Sequence, residues 1–178
     1  MLKAFKNELQ GRVQWEQRPN KDGLDYEITE INSDYAYKNL NLEIIPFEVD
    51  HYPVEPAYGY QIKVSDTEKE KKVVISGDTR KNENLINHAM DADALVHEVF
   101  INLEFDENRM SKKTISNVRD YHTSPKEIGE IAKAANVKKL ILTHFVPPVF
   151  DEDFLTKEIR ESYKGNLIIG EDLLTIEI

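Results

Sequence analysis

Three groups of polar residues that can bind metal ions lie within or directly after runs of apolar residues. Asp78 follows KKVVIS, His97 and Glu98 lie in ALVHEVF, and His144 follows KKLILT. Because ligands of layered α/β folds bind at the carboxyl ends of the strands, we expect these side chains to converge. The chain has no cysteine, so histidine and carboxylate would have to hold any transition metal. The pattern therefore favours a metal site at one edge of a sheet.

Each of these residues also has a purely structural interpretation. Asp78 could cap a helix that begins near Asn82, since aspartate is a common N-cap. His97, in an apolar strand, could be a core histidine that is hydrogen-bonded to the backbone. His144 could simply end its strand. The residue types alone leave both interpretations open.

The other three histidines lie outside the predicted strands. His122 directly precedes a helix start, so it is either a loop residue or lies beside a phosphate at the positive end of the helix dipole. His51 lies in FEVDHYPVEPAYGY, a segment with two prolines that either forms the wall of a site or only turns the chain. His88 falls inside a predicted helix and is interpreted as structural.

A meander of short strands followed by alternating strands and helices must position these residues. Strands are predicted at YEITEI (26–31), NLEIIPFEV (41–49), YGYQIKV (58–64), KKVVIS, ALVHEVF, KKLILTH, NLIIG and LLTIEI (173–178). Helices are predicted at 81–93, 124–136 and 151–163, the second opening on a Ser124–Glu127 capping box. Residues 101–121 read as a surface loop or short helix, and no structure is assigned to 1–25. This order predicts an α/β fold with a mixed sheet covered by helices.

Composition limits the classes of function. The chain has 178 residues, 40% of them hydrophobic and 31% charged, which is typical of one globular domain. No apolar run reaches the ~18 residues of a membrane span and no signal peptide is evident, so we expect a cytoplasmic protein. The formal net charge of −10 does not favour RNA as a partner, because a broad grip on phosphates needs clustered lysine and arginine.

Three segments resemble the metallo-β-lactamase superfamily. VVISGDTRKNENLINHAMDADALVHEVF is similar to the stretch in which a strand ends in G-D-T and the next strand carries an H-E pair. HTSPKEIGEIAKAANVKKLILTHF resembles the following segment, which ends in T-H-F. FEVDHYPVEPAYGY is similar to the D-H…A-x-G-Y segment of the ribonuclease Z-like phosphodiesterase branch. The three follow one another in the family's order.

The resemblance implies a hydrolase with two zinc ions and an αββα sandwich fold. It implies that Asp78 bridges the two ions and that His144 binds the second. His97 would contact the scissile phosphate or assist the leaving group. The resemblance also implies a catalytic pair and a substrate-binding pair: Glu98 and His122, and His51 and Tyr58. Val99 and Phe100 depart from the family pattern, since they replace small and hydroxyl residues.

One family motif has no counterpart here. The chain contains no H-x-H, so the H-x-H-x-D-H ligands are absent. We therefore expect residues 1–178 to be one domain that forms the C-terminal half of the fold, with weak or no zinc binding and no activity alone. Activity would require an N-terminal half or a self-dimer that covers the sheet, and a phosphodiester or other ester as substrate. The alternative is a non-catalytic half that acts as an interaction subunit.

Overall fold

The computed structural model describes most of the chain, namely residues 2–16, 29–65, 69–101 and 111–178. The chain forms two compact units, Met1–Ile31 and Asn32–Ile178. Within the described ranges, no helix combines the length and the apolar character that a bilayer crossing requires. The first three residues of the predicted strand 26–31 and residues 102–110 of the segment predicted at 101–121 lie outside the described residues.

The described residues of the first unit include the helix α1 (Leu2–Trp15). Its residues are mostly good helix formers, and Glu8 accepts a hydrogen bond from the Arg12 guanidinium at 2.9 Å, one turn away. The sequence analysis assigned no structure here, because Gly11 and the scattered charges hide any apolar stripe. The helix is therefore a finding of the structure alone.

The second unit is built on one seven-stranded sheet whose strands lie side by side in sequence order. Strands β1 to β4 pair antiparallel, whereas β4 to β7 pair parallel. The predicted mixed sheet is confirmed, except that residues 29–31 and 173–178 are not strands. The strands are β1 (Tyr37–Asn39), β2 (Leu42–Val49), β3 (Ala57–Ser65), β4 (Glu70–Ile75), β5 (Ala94–Phe100), β6 (Lys139–Val146) and β7 (Asn166–Ile169).

Four helices accompany the sheet, and three of them match the predicted ones with shorter ends. They are α2 (Glu83–Ala89), α3 (Lys112–Arg119), α4 (Pro125–Ala134) and α5 (Glu152–Arg160). The predicted capping box is confirmed, since the Ser124 side chain accepts from the Glu127 amide and the Glu127 carboxylate accepts from the Ser124 amide. This cap fixes the start of α4 directly after His122.

The two faces of the sheet have different surroundings. One face packs against α2, α4 and α5, where Val74, Leu95 and Leu140 have no exposed area. The residues that alternate with them in the strands, such as Val73 and Val96, point to the other face. That second face is apolar but only partly covered within Asn32–Ile178, since Ile75, Val64 and Leu174 keep 36%, 43% and 47% of their area exposed.

Candidate metal centre

Asp78 is presented by a tight turn at the end of β4. Gly77 adopts a φ of +63°, and a Cβ atom there would lie 2.5 Å from the Tyr58 carbonyl oxygen, so the turn requires glycine. The cap of α2 is Asn82, whose side chain accepts a hydrogen bond from the Leu85 amide at 2.9 Å. The structural interpretation of Asp78 as a helix cap is therefore wrong, and its carboxylate is available for other contacts.

Three histidines surround this carboxylate. One potential ligand atom from each of His51, Asp78 and His122 lies within 4.8 Å of the other two. The His144 Nε2 atom lies 3.4 Å from Asp78 Oδ2, and the rings of His122 and His144 are 5.8 Å apart. We call His51, Asp78, His122 and His144 the histidine cluster. Two of its members, Asp78 and His144, were predicted as metal ligands from the sequence.

His144 reaches the cluster through a bulge in β6. Thr143 pairs with Glu98 and Phe145 pairs with Val99, so His144 is an extra residue between two adjacent pairs. Its φ of 45° lies in the left-handed region, which is uncommon for a residue with a side chain. Bulges next to active sites re-aim a side chain, and left-handed residues store strain there. This geometry argues against His144 as a simple strand end.

Glu98 is buried beside His122, one member of the histidine cluster. The Glu98 side chain is buried, and its Oε1 atom accepts hydrogen bonds from the backbone amides of Thr79 at 3.3 Å and Thr123 at 3.0 Å. The His122 Nδ1 atom lies 3.2 Å from the same oxygen, although the two are not aligned as a hydrogen bond. One side of the His122 ring thus faces a carboxylate, which leaves the other nitrogen for a ligand or substrate.

The donor set fits a divalent metal ion of the zinc type. The His51 Nε2 atom is buried and has no hydrogen-bond partner in the part of the chain that the structure describes, which is costly unless a ligand satisfies it. Burial lowers the pKa of His51, and the nearby Asp78 carboxylate only partly opposes this. A neutral imidazole offers the free electron pair that a metal needs, and imidazole with carboxylate is a common zinc ligand set.

A cavity of about 420 Å³ opens beside His122. Three cationic side chains line it, namely Arg80, Lys81 and Arg119, together with two carboxylates, Asp120 and Glu127. Lys81 is paired with Glu130 at 2.6 Å, whereas Arg119 contacts only the Ser116 hydroxyl at 3.4 Å among the described residues. Arg80 is also paired, with Asp50 at 2.6 Å, so Arg119 is the lining cation that has no carboxylate partner among the described residues and would attract an anionic group.

Two predicted site residues do not join the cluster. His97 is completely buried, and its Nδ1 atom lies 2.6 Å from the Glu98 carbonyl oxygen. Burial lowers its pKa, and a direct contact with a phosphate would require this side chain to leave its buried position. Tyr58 lies half-buried on β3, opposite Glu48, and within the described ranges no contact links it to the histidines. His88 is also remote, stacked on Phe47.

The sequence analysis missed His51 as a candidate ligand and placed it in a substrate-binding wall. The signal lay in the meander, because every second strand of an antiparallel meander ends at the same edge of the sheet. β2 ends at Val49 and β4 ends at Ile75, so His51 and Asp78 both follow strands that end at this edge. A count of the strands that end at this edge would therefore have added His51 to the predicted metal ligands Asp78 and His144.

Comparison with known proteins agrees with this geometry. A family model described as a beta-lactamase superfamily domain matches residues 4–145. Ribonuclease Z of Mycobacterium bovis BCG is 30% identical over 155 residues, which are 85% of this chain and 53% of the relative. Ribonuclease Z of Mycobacterium marinum is 28% identical over 183 residues, covering 100% of this chain and 62% of the relative. The chain thus spans about half to three-fifths of the length of these curated relatives.

Solved structures show the same fold. The metallo-beta-lactamase fold protein YhfI from Bacillus subtilis superposes with a TM-score of 0.61 at 23% identity, over 90% of this chain and 60% of that one. The short form of human tRNase Z superposes with a TM-score of 0.51 at 20% identity, over 80% of this chain and 45% of that one. Together with the family match and the strand-end histidines, these findings show that the chain belongs to the metallo-β-lactamase superfamily, on its ribonuclease Z-like branch.

Proposed function

We propose that the histidine cluster is the metal-binding part of a metal-dependent phosphodiesterase active site. His51, Asp78 and His144 would hold a zinc ion, which supplies Lewis acidity for the hydrolysis of a phosphate ester. Two observations carry this proposal: the His51 Nε2 atom is buried without a partner in the described part of the chain, and His51 and Asp78 each offer a ligand atom within 4.8 Å of the other. Three protein ligands are the usual number for a catalytic zinc.

His122 is the residue best placed to transfer a proton to the leaving group. Its side chain lines the cavity next to the cluster, and its Nδ1 atom faces Glu98. Glu98 acts as a positioning residue, since its buried carboxylate lies 3.2 Å from the His122 Nδ1 atom. His97 supports this pair from the core rather than by contact with substrate. The Arg119 side chain, which has no carboxylate partner among the described residues, supports a phosphodiester over a neutral ester as the substrate.

We infer that catalysis requires a second polypeptide surface on the open face of the sheet. Ile75 and Val64 remain partly exposed there, and contiguous apolar patches on monomers mark interaction surfaces. A separate segment that supplies further histidine ligands, or a second copy of this chain, would cover these residues. The open face also favours the second candidate function, an interaction subunit without catalysis. Light scattering of the purified chain distinguishes a self-dimer from a monomer that awaits another partner.

Zinc binding tests the proposal directly. Isothermal titration of metal-free protein with zinc is expected to give one site in the wild type and none in His51→Ala. His88→Gln is the matched control, because it removes a histidine that stacks on Phe47 outside the cluster. Equal zinc binding by the wild type and His51→Ala would overturn the metal site. Hydrolysis of bis(p-nitrophenyl) phosphate is then measured for the zinc-loaded chain alone and for its zinc-loaded complex with the second polypeptide. Hydrolysis by the complex alone would support the catalytic function, and no hydrolysis by either would support the interaction subunit.

A further inference from the structure

The histidine cluster is assembled from two loops that are far apart in the chain. The His51 loop (residues 50–54) follows β2, and the His122 loop (residues 120–123) precedes α4. The rings of His51 and His122 meet edge to face, with 5.4 Å between their centroids. Neither loop belongs to a strand or helix, so hydrogen bonds from elsewhere must fix their spacing.

The Arg80 side chain bonds to both loops. Its terminal nitrogens donate to the Asp50 carboxylate at 2.6 Å and to the Tyr52 carbonyl oxygen at 3.2 Å, the residues on either side of His51. Its Nε atom donates to the carbonyl oxygen of Asp120, two residues before His122. The guanidinium therefore connects the chain around His51 with the chain leading to His122.

The Arg80 backbone strengthens this connection. The Arg80 amide donates to the Asp50 carbonyl oxygen at 2.7 Å, so the backbone and the side chain hold the same residue. Thr79 adds a parallel link, since its carbonyl oxygen accepts a bond from the Thr123 hydroxyl at 2.5 Å. Both residues directly follow Asp78, so one turn of the chain presents the carboxylate and fixes the two histidine loops around it.

We propose that Arg80 is a positioning residue that holds the His51 loop and the His122 loop at one spacing and thereby sets the metal affinity of the cluster. This inference rests on the proposed function. The planar fork of arginine can donate to three acceptors in different directions, whereas the lysine ammonium acts as a compact point charge on a flexible stem. An ordinary surface ion pair with Asp50 would not need this fork, and lysine would replace it at little cost.

The test compares Arg80→Lys with the wild type in two measurements. In the first, hydrogen–deuterium exchange of the metal-free chain is followed in peptides that cover 47–56 and 117–124. Arg80→Lys is expected to exchange faster in both peptides, because the side-chain bonds of the arginine fork are lost. The Thr79 links remain, so the two loops should stay attached. Arg12→Lys is the matched control, since it makes the same substitution at a guanidinium that bonds to Glu8 in α1. The control should leave both peptides unchanged.

In the second measurement, zinc titration of the same variants gives the zinc affinity, which reports how well the two loops position the metal ligands. Arg80→Lys is expected to bind zinc about 10- to 100-fold more weakly, the usual effect of removing a group that orients metal ligands. Asp50→Asn, which removes the negative charge from one acceptor of the fork, should show the same direction with a smaller loss. The melting temperature of the metal-free proteins is measured alongside, and a merely structural role would lower it without changing zinc affinity.

The outcomes separate the two proposals. Unchanged exchange in either peptide of Arg80→Lys would overturn the link between the loops. Faster exchange with wild-type zinc affinity would overturn the positioning role. If the wild type itself bound no zinc, the proposed function would fail and the positioning role with it, whereas the exchange measurement would still decide whether Arg80 joins the loops.

Discussion

The two ends of strands β4, β5 and β6 carry polar clusters of opposite character. Near the amino ends, Asp93 accepts hydrogen bonds from the Lys138 ammonium and the Lys72 amide, each at 2.8 Å, so both carboxylate oxygens are bonded. At the carboxyl ends, the described residues include buried atoms of His51, Glu98 and His122 without hydrogen-bond partners. Among the described residues, the first cluster is fully hydrogen-bonded and the second is not.

This difference separates a structural network from a binding site. A buried polar atom without a partner costs about 1–3 kcal/mol, so a sequence selected only for stability would have removed these atoms or bonded them. The Asp93 network shows that the same sheet can satisfy a carboxylate fully. The unsatisfied atoms at the other end therefore support the proposed metal site.

The largest expected effect concerns Asp78. We predict that Asp78→Ala lowers zinc affinity by about 100-fold or more, equivalent to about 2.7 kcal/mol, because it removes the only carboxylate of the histidine cluster. Asp93→Asn should leave zinc affinity unchanged. Zinc titration of both metal-free variants checks this prediction. A comparable loss in Asp93→Asn would mean that general destabilisation, rather than ligand removal, controls metal binding.

The second prediction concerns the free energy of unfolding, to which Asp93 should contribute far more than Asp78. Asp93→Asn should lower the free energy of unfolding by about 2 kcal/mol, because the new amide group would face the Lys138 ammonium or the Lys72 amide as a second donor. Asp78→Ala should change the unfolding free energy of the metal-free protein far less. Urea denaturation at neutral pH measures both values, and equal losses would contradict the distinction between a structural and a functional end.

The pH dependence of this loss has a definite sign. Desolvation alone would raise the pKa of Asp93, but the hydrogen bonds from Lys138 and the Lys72 amide outweigh it and hold this pKa below the ordinary aspartate value. The stabilisation is therefore present above the unfolded pKa of about 3.9 and lost as pH falls through the lower folded pKa. The stability gap between wild type and Asp93→Asn should close below about pH 4. A gap that persists there would show that packing, not charge, is responsible.

Much of the site could be predicted because its signals are local. Asp78 and His144 follow apolar runs that end as strands, and Ser124 with Glu127 marks the start of α4 in four residues. A short window of sequence contains each of these patterns. The same locality explains the correct mixed sheet, since the meander and the strand–helix alternation are both visible from apolar periodicity.

The rest depends on contacts that no window of sequence contains. His51 joins Asp78 only through the pairing of β2, β3 and β4, so its role follows from register rather than from its neighbours. The left-handed backbone of His144 has no sequence signal, because glycine usually marks that conformation and histidine does not. The sequence left His97 open between a core histidine and a site residue, since an apolar strand does not reveal which of its faces is covered.

The smallest predicted effect comes from the strained, positive φ of His144. His144→Gly should raise the unfolding free energy of the metal-free protein by about 0.5–1 kcal/mol, because glycine adopts a positive φ without the steric cost of a Cβ atom. It should also weaken zinc binding, since it removes a proposed ligand. Leu173→Gly is the matched control, because Leu173 has a φ of 67° and a fully exposed side chain.

The two glycine variants should thus agree in one measurement and differ in the other. Chemical denaturation of the metal-free proteins should show a similar gain for both, while zinc titration should show a loss for His144→Gly alone. A chain that becomes more stable when it loses a ligand would have kept histidine at that position for binding and not for folding. If His144→Gly were instead less stable than the wild type, the His144 side chain would belong to the structural part of the molecule, and the contrast between the two ends of the sheet would not extend to β6.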